Sequence, residues 1–170
     1  MVFPNLPYFK CGDISHAETL PVLRSICRQY APEYLGRNQT EQAYADSFAN
    51  TLYGDFGPFL VSAFFAPDAP ENRPPNLAKA KQICETVQNC LGNKRFVAGN
   101  DVTYCDFMLY WALKYFNVYD KSIIQAFPKI AAYVQTMNSL KNVADAEAEY
   151  SKIPLLPPFA GWMDSHPHKG

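Results

Sequence analysis

The segment Gly99-Asn100-Asp101-Val102-Thr103-Tyr104-Cys105-Asp106, with the run that follows it, constrains the fold more than any other part of the chain. Thr103 and Asp106 stand three residues apart, the spacing of a capping box, with Asp in the place usually held by Glu or Gln. Val102 then falls at N′ and Phe107 at N4, the two positions of a hydrophobic staple. From Phe107 to Leu113 the sequence is apolar all round. A helix apolar on every face must be surrounded by other elements. The spacing therefore predicts a central helix in a mostly α chain.

Several other helices are legible. Leu20, Leu23, Cys27 and Tyr30 share one helical face. Thr19 stands where an N-cap belongs, Pro21 fits only a first turn, and Ala31-Pro32 closes the helix. A linker follows through Leu35-Gly36-Arg37-Asn38. A long stretch from Thr40 to Phe65 repeats apolar residues at three- and four-residue steps, with a kink expected at Gly57-Pro58. Ala66 to Pro75 reads as a loop. Leu77, Ala80, Cys84, Val87 and Leu91 mark another helix, closed by Gly92-Asn93. Pro128 fits the first position of a further helix, with Ile130, Tyr133, Val134 and Met137 on its buried face. Residues 154–159 read as an extended apolar tail.

The start of the chain differs. Pro7 to Lys10 reads as a strand, Cys11-Gly12-Asp13 as a turn, and Ile14-Ser15 as the return. Two short strands do not stand alone, so this sheet needs completion. The net charge of −1 removes the electrostatic footprint of a nucleic-acid binder. No apolar run approaches the ~18 residues of a membrane span. The five cysteines (Cys11, Cys27, Cys84, Cys90, Cys105) are odd in number and contain no C-x-x-C pair. They read as reduced thiols of a cytoplasmic protein rather than a disulfide framework or zinc site. His166 and His168 offer too few ligands for a metal, and His16 reads as a surface or satisfied histidine.

Taken together, these residues resemble a cytosolic glutathione S-transferase, similar to the Mu and Sigma classes. Phe3-Pro4-Asn5-Leu6-Pro7-Tyr8 is similar to the segment entering the third strand of that family's thioredoxin-like domain. Glu18-Thr19 stands where the family opens its third helix, and Val22-Leu23-Arg24 is similar to its Ile-Leu-Arg. Phe96-Val97-Ala98-Gly99-Asn100, Thr103 to Asp106 and Ala126-Phe127-Pro128 resemble the motifs around the central helix of its all-α domain. The resemblance implies a partial thioredoxin-like α/β fragment over residues 1–30, followed by an all-α C-terminal domain over residues 38–160.

It also implies a site for glutathione as co-substrate, with no metal. Pro7 corresponds to the family's cis-proline, which turns the Leu6 backbone outward to pair with the cysteinyl part of glutathione like an added strand. Thr19, at a helix N-terminus, suits the γ-glutamyl carboxylate. Glu18 suits the γ-glutamyl ammonium, and Asn5 is a further candidate glutathione contact beside them. Asp55 is one residue from the position whose acidic side chain crosses the dimer, a rotation of about 100° on a helix. Thr103 and Asp106 are structural. Phe3 corresponds to an aromatic key that enters a pocket of a partner subunit.

Family members begin with a β-α-β unit that carries the hydroxyl stabilising the thiolate. Here Met1 falls just before the third strand, so the catalytic residue is unassigned. Tyr8 follows the proline on the wrong element for that role. The 170-residue chain is accordingly expected to bind glutathione weakly and to turn over electrophiles at close to the uncatalysed rate. Two functions fit the resemblance. One is a transferase that conjugates glutathione to apolar electrophiles, with Phe64, Phe65, Tyr115 and Phe159 as candidate lining. The other is a non-catalytic transferase-like subunit for dimerisation or docking in a larger assembly. Both imply a homodimer or a dimer with a related subunit, and neither involves nucleic acid or a membrane span.

Overall fold

The computed structural model of the protein describes residues 5–65 and 70–150. They form a hairpin of β1 (Tyr8–Cys11) and β2 (Ile14–Ala17), then helices α1 (Thr19–Tyr30), α2 (Gln39–Leu60), α3 (Arg73–Leu91), α4 (Tyr104–Tyr119), α5 (Lys121–Gln125), α6 (Pro128–Asn138) and α7 (Lys141–Tyr150). Two compact units result. Among the described residues, one comprises residues 5–51 and 93–108, the other residues 52–65, 70–92 and 109–150. Helices α2 and α4 contribute residues to both.

In the first unit the hairpin is antiparallel, with Tyr8 opposite Ala17 and Cys11 opposite Ile14. Gly12, at φ 56°, occupies the first loop position, where the tight connection needs a residue without Cβ. Helix α1 buries Leu20, Val22 and Cys27. It begins at Thr19, so Glu18 rather than Thr19 is the cap residue. The start of α4 is the most completely buried part of this unit. Asp106, fully buried, accepts from Val97 N–H at 2.9 Å through Oδ1. Its Oδ2 accepts from Thr103 N–H at 2.8 Å and Thr103 Oγ1 at 3.0 Å. Asp106 N–H donates to the Thr103 carbonyl at 2.9 Å. One carboxylate thus serves both the first turn of α4 and the loop before it. The Phe107 ring meets Tyr34 edge-on, with centroids 5.1 Å apart.

The second unit has an aromatic core. Phe59 lies 4.8 Å from Phe116 and 5.5 Å from Tyr119, while Phe64 lies 5.4 Å from Tyr115, all edge-on. Such pairs add about 0.5–1.5 kcal/mol each beyond area burial. Along α4, Leu109, Ala112, Leu113 and Phe116 are fully or almost fully buried, yet Trp111 is 43% exposed. The helix therefore keeps one solvent-facing stripe, where its apolar composition led us to expect burial on every side.

Two boundaries differ from the sequence reading. Helix α2 continues through Pro58 to Leu60, and the irregularity comes afterwards as a π-helical turn at Val61–Phe65. The proline ring presses on the carbonyl of the residue four earlier. That residue is Gly54, and neither Gly54 nor Gly57 has neighbours crowding the site of a side chain. Residues 70–75 are also more ordered than a loop, while residues 66–69 lie outside the described residues. A 3-10 turn covers Pro70–Asn72, and Pro74 and Pro75 lie in the first turn of α3. There their missing N–H groups leave no helical bond unmade.

Candidate functional site

The end of the Asn5-Leu6-Pro7 segment and the start of α1 meet. Asn5 Nδ2 donates to Glu18 Oε1 at 2.8 Å, and Asn5 Oδ1 accepts from Leu6 N–H at 2.9 Å. Glu18 N–H donates to the Pro7 carbonyl at 3.2 Å, and the Glu18 carbonyl accepts from Val22 N–H at 2.9 Å. The Leu6–Pro7 peptide is cis. Asn5, Leu6, Pro7, Glu18 and Thr19 are thus gathered at one exposed edge, where Leu6 is 82% accessible.

Glu18 has φ 82° and ψ 136°, a conformation that L-residues rarely adopt. Strained backbone of this kind costs about 1–3 kcal/mol and clusters at ligand sites. Nothing in the sequence around Glu18 signals it, because the strain comes from turning β2 directly into α1. The conformation leaves the Glu18 carboxylate beside the first turn of the helix.

Asp55 belongs to the second unit, on α2, where Oδ1 accepts from Lys79 Nζ at 2.7 Å. Phe3 and Phe159 lie outside the described residues. Phe64 and Tyr115 belong to the second unit. Both are buried and packed on one another, because the aromatic core absorbs them, whereas Phe65 is 43% exposed. His16 is satisfied, with Nε2 2.8 Å from Ser25 Oγ. The five cysteines are free thiols. Burial pushes Cys84 up to about 12 and raises Cys105 as well, so both stay protonated near neutrality. Among the described residues no cluster of three or more His, Cys, Asp or Glu side chains has the arrangement of a metal site. No described helix is long and apolar enough to cross a membrane.

A polar network in the first unit escaped sequence reading. Arg24 Nε on α1 donates to Asp46 Oδ1 on α2 at 2.8 Å and to Tyr104 Oη on α4 at 3.2 Å. Tyr104 Oη itself donates to Asp46 Oδ1. Burial opposes the charge on Asp46, yet the hydrogen bonds from Tyr104 and Arg24 hold its carboxyl below the usual range. Burial, with the hydrogen bond to Asp46, raises the Tyr104 phenol. These residues are 22 and 80 positions from Arg24, so no local motif announces them. They tie the helix that opens at Glu18 to α2 and α4.

The fold and this edge define a two-part, mostly helical protein whose first unit carries an incomplete sheet and a strained strand-to-helix turn. Residues 54–149 match the family described as glutathione S-transferase, C-terminal domain. A glutathione S-transferase of Tyrophagus putrescentiae is 31% identical over 161 residues, covering 94% of this chain and 72% of that protein. Glutathione S-transferase Mu 1 of Rattus norvegicus is 25% identical, covering 95% of this chain and 74% of that protein. Among solved structures, the glutathione S-transferase Blo t 8 superposes with a TM-score of 0.76 at 23% identity, covering 94% of this chain and 76% of that one. The chain belongs to the glutathione S-transferase family. Its hairpin and α1 are a partial thioredoxin-like fragment, and an all-α C-terminal domain follows.

Proposed function

We propose that the protein is a glutathione transferase that joins the thiol of glutathione to apolar electrophiles. The observation that carries this reading is the bridging amide of Asn5, held between Leu6 N–H and the Glu18 carboxylate at the exposed edge. In a chain of this family, an amide there occupies groups suited to the cysteinyl carbonyl and the γ-glutamyl ammonium of glutathione. The peptide would displace Asn5 and pair with the Leu6 backbone as an added strand. Glu18 takes the ammonium. Thr19 and the N-terminus of α1 take the γ-glutamyl carboxylate.

Residues 1–30 form the glutathione-binding part and residues 38–160 the all-α domain. Asp55 would have to leave Lys79 before it served a partner's glutathione. Phe3 is the aromatic contact of a homodimer or related-subunit dimer, and the cytoplasm is the compartment. The hydroxyl that stabilises the thiolate is assigned to no residue.

Titration calorimetry with reduced glutathione tests the anchoring roles. Thr19→Ala and Glu18→Gln should each weaken binding about tenfold, equivalent to ~1.4 kcal/mol. Conjugation of an aryl halide is followed spectrophotometrically, both with this chain and with any natural form extended at its N-terminus. Where turnover is measurable, its saturated rate should change far less than the affinity, because the anchors hold ground and transition states alike. A parent protein with no affinity for glutathione would overturn the reading, as would variants that bind like the parent.

A further inference from the structure

The second unit holds a cleft that the transferase reading does not use. It is lined by Tyr110, Leu113, Lys114 and Asn117 of α4, Ile124 of α5, and Val134 and Asn138 of α6, and measures about 250 Å³. Leu113, Ile124 and Val134 make an apolar wall, with Leu113 only 1% exposed. Polar groups converge around that wall. Tyr110 Oη donates to Asn138 Oδ1 at 2.6 Å and reaches Glu147 Oε1 of α7 at 3.2 Å. Lys114 Nζ donates to both Glu147 oxygens at 2.6 Å. The charges at the cleft are thus already paired with one another. Two amides retain donors: Asn138 Nδ2 remains available once Oδ1 has accepted from Tyr110, and the Asn117 side chain makes no hydrogen bond among the described residues.

We propose that this cleft binds a small, flat, uncharged molecule. Its apolar edge lies on Leu113, Ile124 and Val134, and its hydrogen-bond acceptor meets the amides of Asn117 and Asn138. Apolar walls with a few convergent polar groups are the general form of a small-molecule site. The volume falls just below the ~300–1,000 Å³ of pockets for drug-sized ligands, which limits the occupant to one or two rings. Charge sets the class. Lys114 and Glu147 are paired with each other, so together they give the cleft no net charge, and an ion of either sign attracted by one is repelled by the other. A neutral carbonyl or lactone disturbs neither ion.

The test uses coumarin, an uncharged two-ring lactone, with coumarin-3-carboxylate as its anionic counterpart. Binding to the full chain is followed by amide chemical-shift mapping, with an S-alkyl glutathione present to occupy the proposed glutathione edge at Leu6, Glu18 and Thr19. Coumarin should shift amides at residues 110–117, 124 and 134–138 and bind more tightly than its carboxylate. Val134→Phe fills the cleft and should weaken coumarin binding at least about tenfold, with helix content retained by circular dichroism. Shifts centred elsewhere, an undiminished affinity in Val134→Phe, or tighter binding of the carboxylate would each overturn the proposal. Absence of coumarin binding up to its solubility would do so too. If Val134→Phe fails to fold, the shift map of the parent decides alone.

Discussion

Replacing Asp106 with Ala should remove a large fraction of the protein's stability. The carboxylate is fully buried and accepts from Val97 N–H, Thr103 N–H and Thr103 Oγ1. Val97 and Thr103 are themselves 0% and 1% exposed, so water cannot take over as acceptor without opening the structure. The Thr103 hydroxyl can rotate toward Cys105 Sγ, 3.2 Å away, and is left out of the reckoning. Two orphaned backbone donors remain, each costing about 1–3 kcal/mol. The expected loss is therefore ~2–6 kcal/mol, out of a total that for such domains is about 5–15 kcal/mol. Asp106→Asn keeps one acceptor and turns an amide N–H toward the other donor, so it should cost roughly half as much. Thr103→Ala loses only the hydroxyl's hydrogen bond to the Asp106 carboxylate, about 1.5–3 kcal/mol. Urea unfolding by far-UV circular dichroism measures all three, from midpoints at a common slope. An Asp106→Ala midpoint indistinguishable from the parent's would refute the reasoning. So would Asp106→Asn losing as much as Asp106→Ala.

Other perturbations separate stability from function. The carboxyl of Asp46 is held low, so the unfolded chain binds its proton more readily than the folded one. Its contribution is full above the unfolded value of about 3.9 and fades as pH falls through the lower folded value. The stability gap between parent and Asp46→Asn should accordingly be larger at pH ~7 than at pH ~3, as thermal melts at the two values will show. Glu18→Gly removes the strain of φ 82° but adds unfolded-state entropy. It should leave stability unchanged or raise it by about 1 kcal/mol while weakening glutathione binding; a clear loss of stability would contradict the strain argument. Phe64→Ala hollows the aromatic core and should cost ~3–5 kcal/mol, measurable as a shift in the urea midpoint.

Sequence reading worked where the determining contacts are close along the chain. The hairpin turn at Gly12, the Thr103–Asp106 spacing and Pro128 at the first turn of α6 are short-range devices. The grouping of Asn5 with Glu18 spans only 13 residues. Prolines misled at residues 70–75, where they are accommodated in a short turn and the first turn of α3, and at Pro58, through which α2 continues. Helix α5 has five residues, too few for periodicity to register. The packing of Phe64 and Tyr115 into the aromatic core was not legible either. An aromatic side chain looks the same in sequence whether it lines an opening or fills a core.

By itself, the amino-acid order determined the mostly helical class, the capped start of α4, the short hairpin and the family. Each depends on side chains acting on their own turn, or on a pattern repeated within one element. The tertiary structure alone decided that Arg24, Asp46 and Tyr104 share one network and that Glu18 takes a left-handed backbone. It alone packed Phe56, Phe59, Phe64 and Phe116 into a core, and left a cleft beside Leu113 with its charges already paired. Those outcomes depend on which distant surfaces come together once chain entropy is overcome, and residues 80 positions apart, as Arg24 and Tyr104 are, carry no local pattern that names their partner.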